Sequence, residues 1–441
     1  MLTALIGLAC VLALVFVRVP IAFAMGFVGV LGVAHERGSL WDASSWIPAI
    51  SLAARQISDT PQDYALSVIP LFILMGLFIS KGGLSRELYN LGNVFLGHMR
   101  GGLAMATVVA CGGFSAICGS SLATVATMSR VAIPEMRRFG YDDTLSSAAV
   151  ASAGTLGALI PPSVVLVIYG ILTETSIGKL FIAGIVPGMI GILFYLAAVR
   201  WVVFRRPASG PRGERHDWRS RGRALLSVWA VLLLFVLIIG GLYGIFDVPP
   251  LNLAFSPTEV AGMGATGAFL IALARRRLTW RDMVDVLRDA VLTSAGLFMV
   301  LIGAALFSAF VNLAGLPEAL AGFVTAQDLP PLAVIALISL IYLLLGCVFE
   351  SLSLLLLTVP IFFPVIVALG FDPVWFGIFV VVVTEIGMLT PPIGMNVFVL
   401  QASVGDIPAA TIFRGITPFW VADLFRLALI VFVPAVALVL V

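Results

Sequence analysis

Two acids stand inside long apolar stretches of this chain. Glu350 falls in Gly346-Cys347-Val348-Phe349-Glu350-Ser351-Leu352-Ser353, and Glu385 falls just before Gly387 and the run Thr390-Pro391-Pro392-Ile393-Gly394 with Asn396. An acid at mid-membrane costs ~2.5–3.5 kcal/mol on insertion scales, so it is seldom there without a partner or a task. Ser351, Ser353, Thr390, Gly394 and Asn396 bring hydroxyl, amide and backbone oxygens beside these acids. Such a set can replace the water shell of a small hard cation. The structural alternative for Glu350 is a hydrogen bond to a neighbouring helix end, and Glu385 reads equally well as a structural residue.

A second oxygen-rich stretch runs from Gly112 to Thr124, through Ser115, Cys118-Gly119-Ser120-Ser121 and Ala123-Thr124. Its serines and threonine supply hydroxyls, and unwound backbone there would add carbonyls. A helix starting just after Ser120-Ser121 would point its positive end at an anionic group. The same glycines and serines also suit plain small-residue helix packing. Pairing this stretch with Gly157 to Ser163, another small-residue run with a Pro161-Pro162 break, favours a site. Ser120, Thr124, Ser163, Ser353 and Asn396 are the candidate substrate contacts.

These residues need broken helices and tight tips to position them. Ile160-Pro161-Pro162-Ser163 and Thr390-Pro391-Pro392-Ile393 interrupt apolar segments at similar depths of the two halves. Proline removes a helix hydrogen bond and clashes with the preceding turn. In hydrocarbon that is tolerated only where the freed backbone faces protein or a water-filled cavity. A matched pair of such helices points to the binding site of a secondary transporter. With the halves offset by about 230 positions, Pro134 falls on Pro364, Gly140 on Gly370, Asp142 on Asp372, Gly157 on Gly387 and Pro161-Pro162 on Pro391-Pro392. This ordered series indicates an internal repeat.

Charge sets the orientation of the repeats. Basic residues near membrane segments mark the cytoplasmic side, which places the arginine-rich stretch 205–223 and the Arg275-Arg276-Arg277 cluster there. The apolar runs 224–246 and 258–274 then form two spans around an outside loop with Asp247 and Glu259. Residues 102–136 have Arg100 before them and Arg130, Arg137 and Arg138 at their end, so a hairpin that enters and returns to the cytoplasmic side fits best. The matching stretch 331–366 is flanked by Glu318, Asp328 and Asp372 and should open outward. The expected fold is therefore an all-α integral membrane protein of two inverted-topology repeats. Each has about five transmembrane helices, one re-entrant hairpin and one Pro-Pro-broken helix. The first repeat spans 1–204, with hairpin 102–136 and broken helix 142–176. A basic cytoplasmic linker covers 205–223. The second repeat spans 224–441, with hairpin 331–366 and broken helix 373–400. Both termini fall outside, in the periplasm. Residues 85–99 and 280–292 are mixed-charge amphipathic stretches that read as arm helices on the membrane surface or as cytoplasmic loop helices.

Composition agrees. Hydrophobic residues make up 61% of the chain and charged ones 11%, less than half the usual charged share of a soluble domain. A net charge of +2 gives no case for nucleic-acid binding. Cys10, Cys111, Cys118 and Cys347 all lie in apolar stretches and read as small hydrophobes. The three histidines have no zinc-ligand spacing, and the first apolar run reads as an uncleaved helix. No metalloprotease helix motif, nucleophile elbow or phosphate loop occurs, so no catalytic or cofactor-binding residues are assigned. Energy must then come from an ion gradient or the membrane potential, about 2.3 kcal/mol per charge per 100 mV. A passive channel is the contrasting class, and two closed-tip hairpins suit alternating access better than an open pore.

The chain resembles the large membrane subunit of the tripartite ATP-independent periplasmic (TRAP) transporters. The resemblance is carried by Ile69-Pro70-Leu71-Phe72, Gly119-Ser120-Ser121, Gly154 through Pro161-Pro162-Ser163, Ser176 through Gly188, and Leu389-Thr390-Pro391-Pro392-Ile393-Gly394-Met395-Asn396. It implies a sodium-coupled importer of organic acids in the ion-transporter superfamily, working by an elevator movement in the bacterial inner membrane. It implies Na+ as coupling ion at two sites. The first corresponds to Gly119, Ser120, Ser121, Gly157, Pro161 and Ser163, and the second to Glu350, Ser351, Ser353, Thr390, Pro391 and Gly394. The implied partners are a periplasmic substrate-binding protein and a small four-helix membrane subunit, expected here as a separate chain. Scaffold helices at 1–34 and 224–274 would meet that subunit. A stand-alone sodium–anion symporter of the same superfamily is the alternative.

Overall fold

A computed structural model describes residues 1–243, 255–327 and 329–441. Asp247, the end of the run 224–246 and Asp328 lie outside the described residues. Among the described residues there is no β-strand, and a single bridge pairs Arg100 with Arg212.

The first half opens with α1 (Leu2–Phe16), α2 (Ile21–Arg37), α3 (Ala43–Asp59) and α4 (Val68–Lys81). Asp42 caps α3 by accepting from Ser44 N at 3.1 Å, and the chain bends by 58° between α3 and α4. Next come α5 (Leu84–Leu96), then α6 (Gly102–Cys118) and α7 (Ser121–Arg138). Only Gly119 and Ser120 separate α6 from α7. Gly119 takes φ +63°, a left-handed conformation that favours glycine, and Ser120 caps α7. The broken helix follows as α8 (Asp143–Gly154), a short 3₁₀ turn and α9 (Val164–Leu172). Asp142 caps α8 and Ser163 caps α9. The long α10 (Ile177–Arg205) completes this half.

The stretch read as a linker holds a 3₁₀ turn and then most of α11 (Trp218–Ser227), so a boundary at 223/224 falls inside a helix. Asp217 starts that helix by accepting from Ser220 N at 3.1 Å. Arg221 lies over the rings of Trp218 and Phe95, at 4.8 and 5.7 Å from their centroids. These contacts seat the basic segment against α5.

The second half holds α12 (Trp229–Leu242), α13 (Pro257–Ala274) and α14 (Trp280–Leu313). Residues 280–292 are not a separate arm: they form the first turns of the 34-residue α14. Thr279 and Asp282 make a capping box that starts the helix, and no proline interrupts it before Leu313. After α15 (Leu316–Ala326) come α16 (Pro331–Gly346) and α17 (Ser351–Ala368), then the second broken helix as α18 (Pro373–Gly387) and α19 (Met395–Val404). Asp372 caps α18, as Asp142 caps α8. The chain ends with α20 (Ala409–Phe432) and α21 (Ala435–Leu438).

Among the described residues five helices are long and apolar enough to cross a membrane, or up to seven if each bent pair counts as one span, and several shorter apolar helices accompany them. Burial separates two layers. Every residue of α18 from Val374 to Gly387 is buried, as is α8 from Leu145 to Gly154. By contrast α1, α12 and α14 expose large apolar side chains such as Phe16, Trp229 and Leu292, as helices facing lipid do. The outer layer is joined across the halves where α2 meets α14. A Cβ on Gly303 would lie 2.2 Å from the Ala22 carbonyl oxygen, and one on Gly29 would lie 2.6 Å from the Leu306 carbonyl carbon. Only glycine permits that approach.

Candidate functional site

Each hairpin tip lies against the broken helix of its own half. At the first, a Cβ on Gly157 would come within 2.9 Å of the Ser120 carbonyl, and one on Gly119 within 2.7 Å of the Pro162 carbonyl oxygen. At the second, Gly346 and Gly387 touch backbone to backbone, with a Cβ on Gly387 only 2.7 Å from the Gly346 Cα. Gly394 N donates to Cys347 O at 3.1 Å, and the Cys347 thiol donates to Pro391 O at 3.3 Å. The structure thus brings Gly119, Ser120, Gly157 and Pro162 together, and separately Gly346, Cys347, Gly387, Pro391 and Gly394.

Glu385 joins the two groups. Its carboxylate accepts from Ser121 Oγ at 2.7 Å and from Ser351 Oγ at 2.5 Å, and its side chain is buried. The serines come from opposite hairpins, so one acid from the second broken helix holds both tips. A carboxylate has several acceptor positions on two oxygens and can serve two hydroxyl donors at once. The residue whose role the sequence left open is therefore the link between the halves.

The tips border a cavity of about 300 Å³. Gly119 to Ala123 line one side and Glu350 to Leu352 another, while Ile73, Thr293 and Leu297 close it from α4 and α14. Among the described residues no basic side chain lines it. Three helices begin here, at Ser121, Val164 and Ser351. Their unpaired N–H groups and dipoles make an anion-tolerant surface without arginine or lysine.

The remaining candidates are placed as follows. Thr124 Oγ1 donates to Ser120 O at 2.8 Å, back into its own helix. Ser163 Oγ donates to Ala158 O at 2.5 Å and accepts from Leu166 N at 3.2 Å, behind the cavity and fully buried. Ser353 Oγ donates to Glu350 Oε1 at 3.2 Å. Thr390 Oγ1 donates to Ile386 O and accepts from Trp420 Nε1 at 2.9 Å. Asn396 reaches across the halves, its Nδ2 donating to Ala151 O at 3.3 Å, and its buried Oδ1 has no partner among the described residues. Of the five proposed substrate contacts, only Ser120 lines the cavity.

One group escaped the sequence reading. Asp423 and Arg426 on α20 form an ion pair at 2.8 Å with both side chains 1% exposed. The Tyr195 hydroxyl donates to Asp423 and lies 2.8 Å from Thr155 Oγ1, beside the first broken helix. The signal was present: two opposite charges three apart in an apolar helix, where ionisable groups are costly and paired.

A cation at these tips would find hydroxyls, backbone carbonyls and a carboxylate. Among the described residues no three His, Cys, Asp or Glu side chains cluster. That donor chemistry fits a hard cation rather than a transition metal.

Comparison with known proteins agrees with this architecture. The sequence model of the family described as tripartite ATP-independent periplasmic transporter, DctM component, matches residues 8–436. The C4-dicarboxylate TRAP transporter large permease protein DctM of Pseudomonas aeruginosa is 39% identical over 88% of each chain. The sialic acid TRAP transporter large permease protein SiaM of Vibrio cholerae is 33% identical over 97% of this chain and 96% of its own. Among solved structures, the Alcanivorax borkumensis YdaH transporter has a similar fold. Its TM-score is 0.65 at 15% identity, and the match covers 96% of this chain and 97% of that one. With its membrane-spanning helices and its full-length match, the chain belongs to the TRAP transporter large permease family, DctM component, as a multi-pass membrane transporter subunit.

Proposed function

We propose that the chain imports an organic acid across the inner membrane on a sodium gradient, taking its substrate from a periplasmic binding protein. The observation that carries this reading is the convergence of both hairpin tips on one cavity through Glu385. Three helix N-termini there favour a carboxylate, and the hydroxyl and carbonyl oxygens suit sodium. Ser120, Ser121, Gly157, Pro161 and Ser163 would serve the first ion. Glu350, Ser351, Ser353, Thr390, Pro391 and Gly394 would serve the second. Relatives named for C4-dicarboxylates, sialic acid and ectoine support an organic acid or a related small polar solute.

The two halves act as inverted repeats with both termini periplasmic. The bundle of hairpins and broken helices moves as an elevator against the outer helices. The recurrence of tip-to-break contacts about 230 positions apart supports the repeat, and the positions of the arginines support its orientation. A small membrane subunit braces the outer layer.

The test is uptake into proteoliposomes holding the chain with its small subunit, under an inward sodium gradient, with and without binding protein loaded with candidate acids. Accumulation needing both sodium and binding protein is the expected result. Accumulation indifferent to the binding protein would replace this reading with a stand-alone symporter. Flux indifferent to the gradient would replace it with a channel.

A further inference from the structure

A groove runs between α10 and α20 on the outer surface, away from the cavity just described. Its larger part, about 600 Å³, is lined by Phe194, Ala197, Trp201, Val421 and Phe425. It continues past Trp201, Thr417 and Pro418 into a second space of about 350 Å³ that adds Arg205, Arg206 and Arg414. Apolar side chains, then an indole, then guanidinium groups follow one another along a single groove. That is the order in which a phospholipid presents its acyl chains, interface and phosphate.

The arginines are available for such a ligand. Among the described residues none of the three is in an ion pair, although Arg137, Arg138, Arg275 and Arg426 are. Arg205 lies over the Trp201 ring at 4.7 Å, which leaves its guanidinium edge free to donate. Arg206 and Arg414 are exposed. Among the described residues Asp142 is the one acid lining this end, and its Oδ1 is occupied in capping α8. Three positive charges against one negative charge select an anionic headgroup. The arginine guanidinium also matches phosphate oxygens in bidentate fashion.

We propose that this groove is a binding site for an anionic phospholipid of the cytoplasmic leaflet, with its phosphate held by Arg205, Arg206 and Arg414 and an acyl chain laid along Trp201 and Phe425. Inside the groove, α10 and α20 are tied together by Tyr195 and Asp423. The bound lipid covers the outer side of that same helix pair. Free phosphate would meet the arginines but leave the larger, apolar part of the groove empty, so the site is assigned to lipid.

Native mass spectrometry of the purified full chain tests this, with phosphatidylglycerol, cardiolipin, phosphatidylcholine or inorganic phosphate added. The expected result is retention of the two anionic lipids over phosphatidylcholine. The triple variant Arg205→Ala, Arg206→Ala, Arg414→Ala should retain them at least about tenfold less, since each arginine near the surface adds to the attraction for an anionic headgroup. Ala197→Trp, which fills the apolar part and leaves the arginines in place, should also displace lipid. It keeps the test decisive if the triple variant does not fold. Equal retention of phosphatidylcholine, or unchanged retention in Ala197→Trp, would overturn the proposal. So would competition by inorganic phosphate as effective as that by lipid. Loss of lipid on adding the small subunit would also overturn it, and would reassign the groove as a subunit contact.

Discussion

The two proline breaks are close in sequence but differ in surroundings. Pro161, Pro162 and Ser163 are buried, whereas Pro391 and Pro392 are exposed. The first break restarts its helix with a serine cap, Ser163. The second restarts at Gly394, with φ +63° and no side-chain cap. Matched sequence has therefore produced one sealed break and one open break around a shared carboxylate. This asymmetry is what the elevator reading proposed above requires of a single state, because a site reachable from both sides would leak.

The largest expected effect comes from removing the group the two halves share. Glu385→Ala takes away the acceptor of both Ser121 and Ser351 and strands two buried hydroxyls. Hydrogen bonds to a charged group contribute ~1.5–3 kcal/mol each, so uptake should fall about a hundredfold or more. Ser121→Ala and Ser351→Ala should each lower it about tenfold by the same reasoning. The double serine variant should be at least as damaging as Glu385→Ala, because it leaves the buried acid without either hydroxyl donor. Size-exclusion profiles report assembly alongside uptake. If Ser121→Ala abolished uptake and Ser351→Ala left it untouched, Glu385 would serve one half only.

A smaller effect is expected where backbone meets backbone. Gly119→Ala combines a left-handed φ with a Cβ 2.7 Å from the Pro162 carbonyl, while Gly387→Ala, without a positive φ, meets the Gly346 Cα at 2.7 Å and the Tyr342 carbonyl oxygen at 3.3 Å. Both should lower the melting temperature, Gly119→Ala more, since strained αL residues cost of order 1–3 kcal/mol beyond any clash. Thermal unfolding of the two variants in detergent ranks them. The reverse order would mean that the second tip, not the first, is the tighter contact.

How much was readable in advance follows from what each feature is made of. Gly119 and the two Pro-Pro pairs act on the backbone locally, so sequence shows them at the right places, whereas Asp142 and Asp372 were legible only as matched repeat positions and their capping appears in the structure. Local charge misled at 280–292, because a charged amphipathic start does not end a helix, and no proline follows it before Leu313. The partners of Glu385 were invisible. An acid in an apolar helix announces that it needs a donor, but Ser121 lies 264 positions away, and no local rule connects them. Asp423 and Arg426 were legible as a pair and were overlooked among nearer motifs. Thr124 shows the opposite limit: its hydroxyl was available on paper, but its own helix takes it.

Access separates the breaks more directly. Ser163 and Ile393 occupy matching positions of the two breaks. Ser163 is fully buried, and Ile393 is half-exposed. In a background with the four native cysteines replaced, Ile393→Cys should react with a small polar maleimide at least about tenfold faster than Ser163→Cys, since buried thiols are both shielded and less ionised. Equal rates in the resting protein would remove the asymmetry. A sodium-dependent reversal of the ranking would show the two breaks exchanging roles.

The smallest effect lies at the surface, where the halves also touch. Arg137 at the end of the first hairpin holds Asp143 at 2.7 and 2.9 Å and reaches Asp406, after the second broken helix, at 2.7 Å. The Asp406 carboxyl is drawn below its ordinary value by the Arg137 hydrogen bond. Because the folded state favours the charged form, this link stabilises the protein above the ordinary aspartate range, near pH 4. The contribution is lost as pH falls through the lower folded value. Asp406→Asn should therefore lower the melting temperature slightly at pH 7. The difference should narrow as pH falls below the ordinary aspartate range and shrink in high salt, as exposed pairs are screened. A gap that did not narrow with falling pH would mean that Asp406 acts through packing. Set beside Glu385, the outcome would tell whether the surface arginine adds to the buried contacts that hold the halves together.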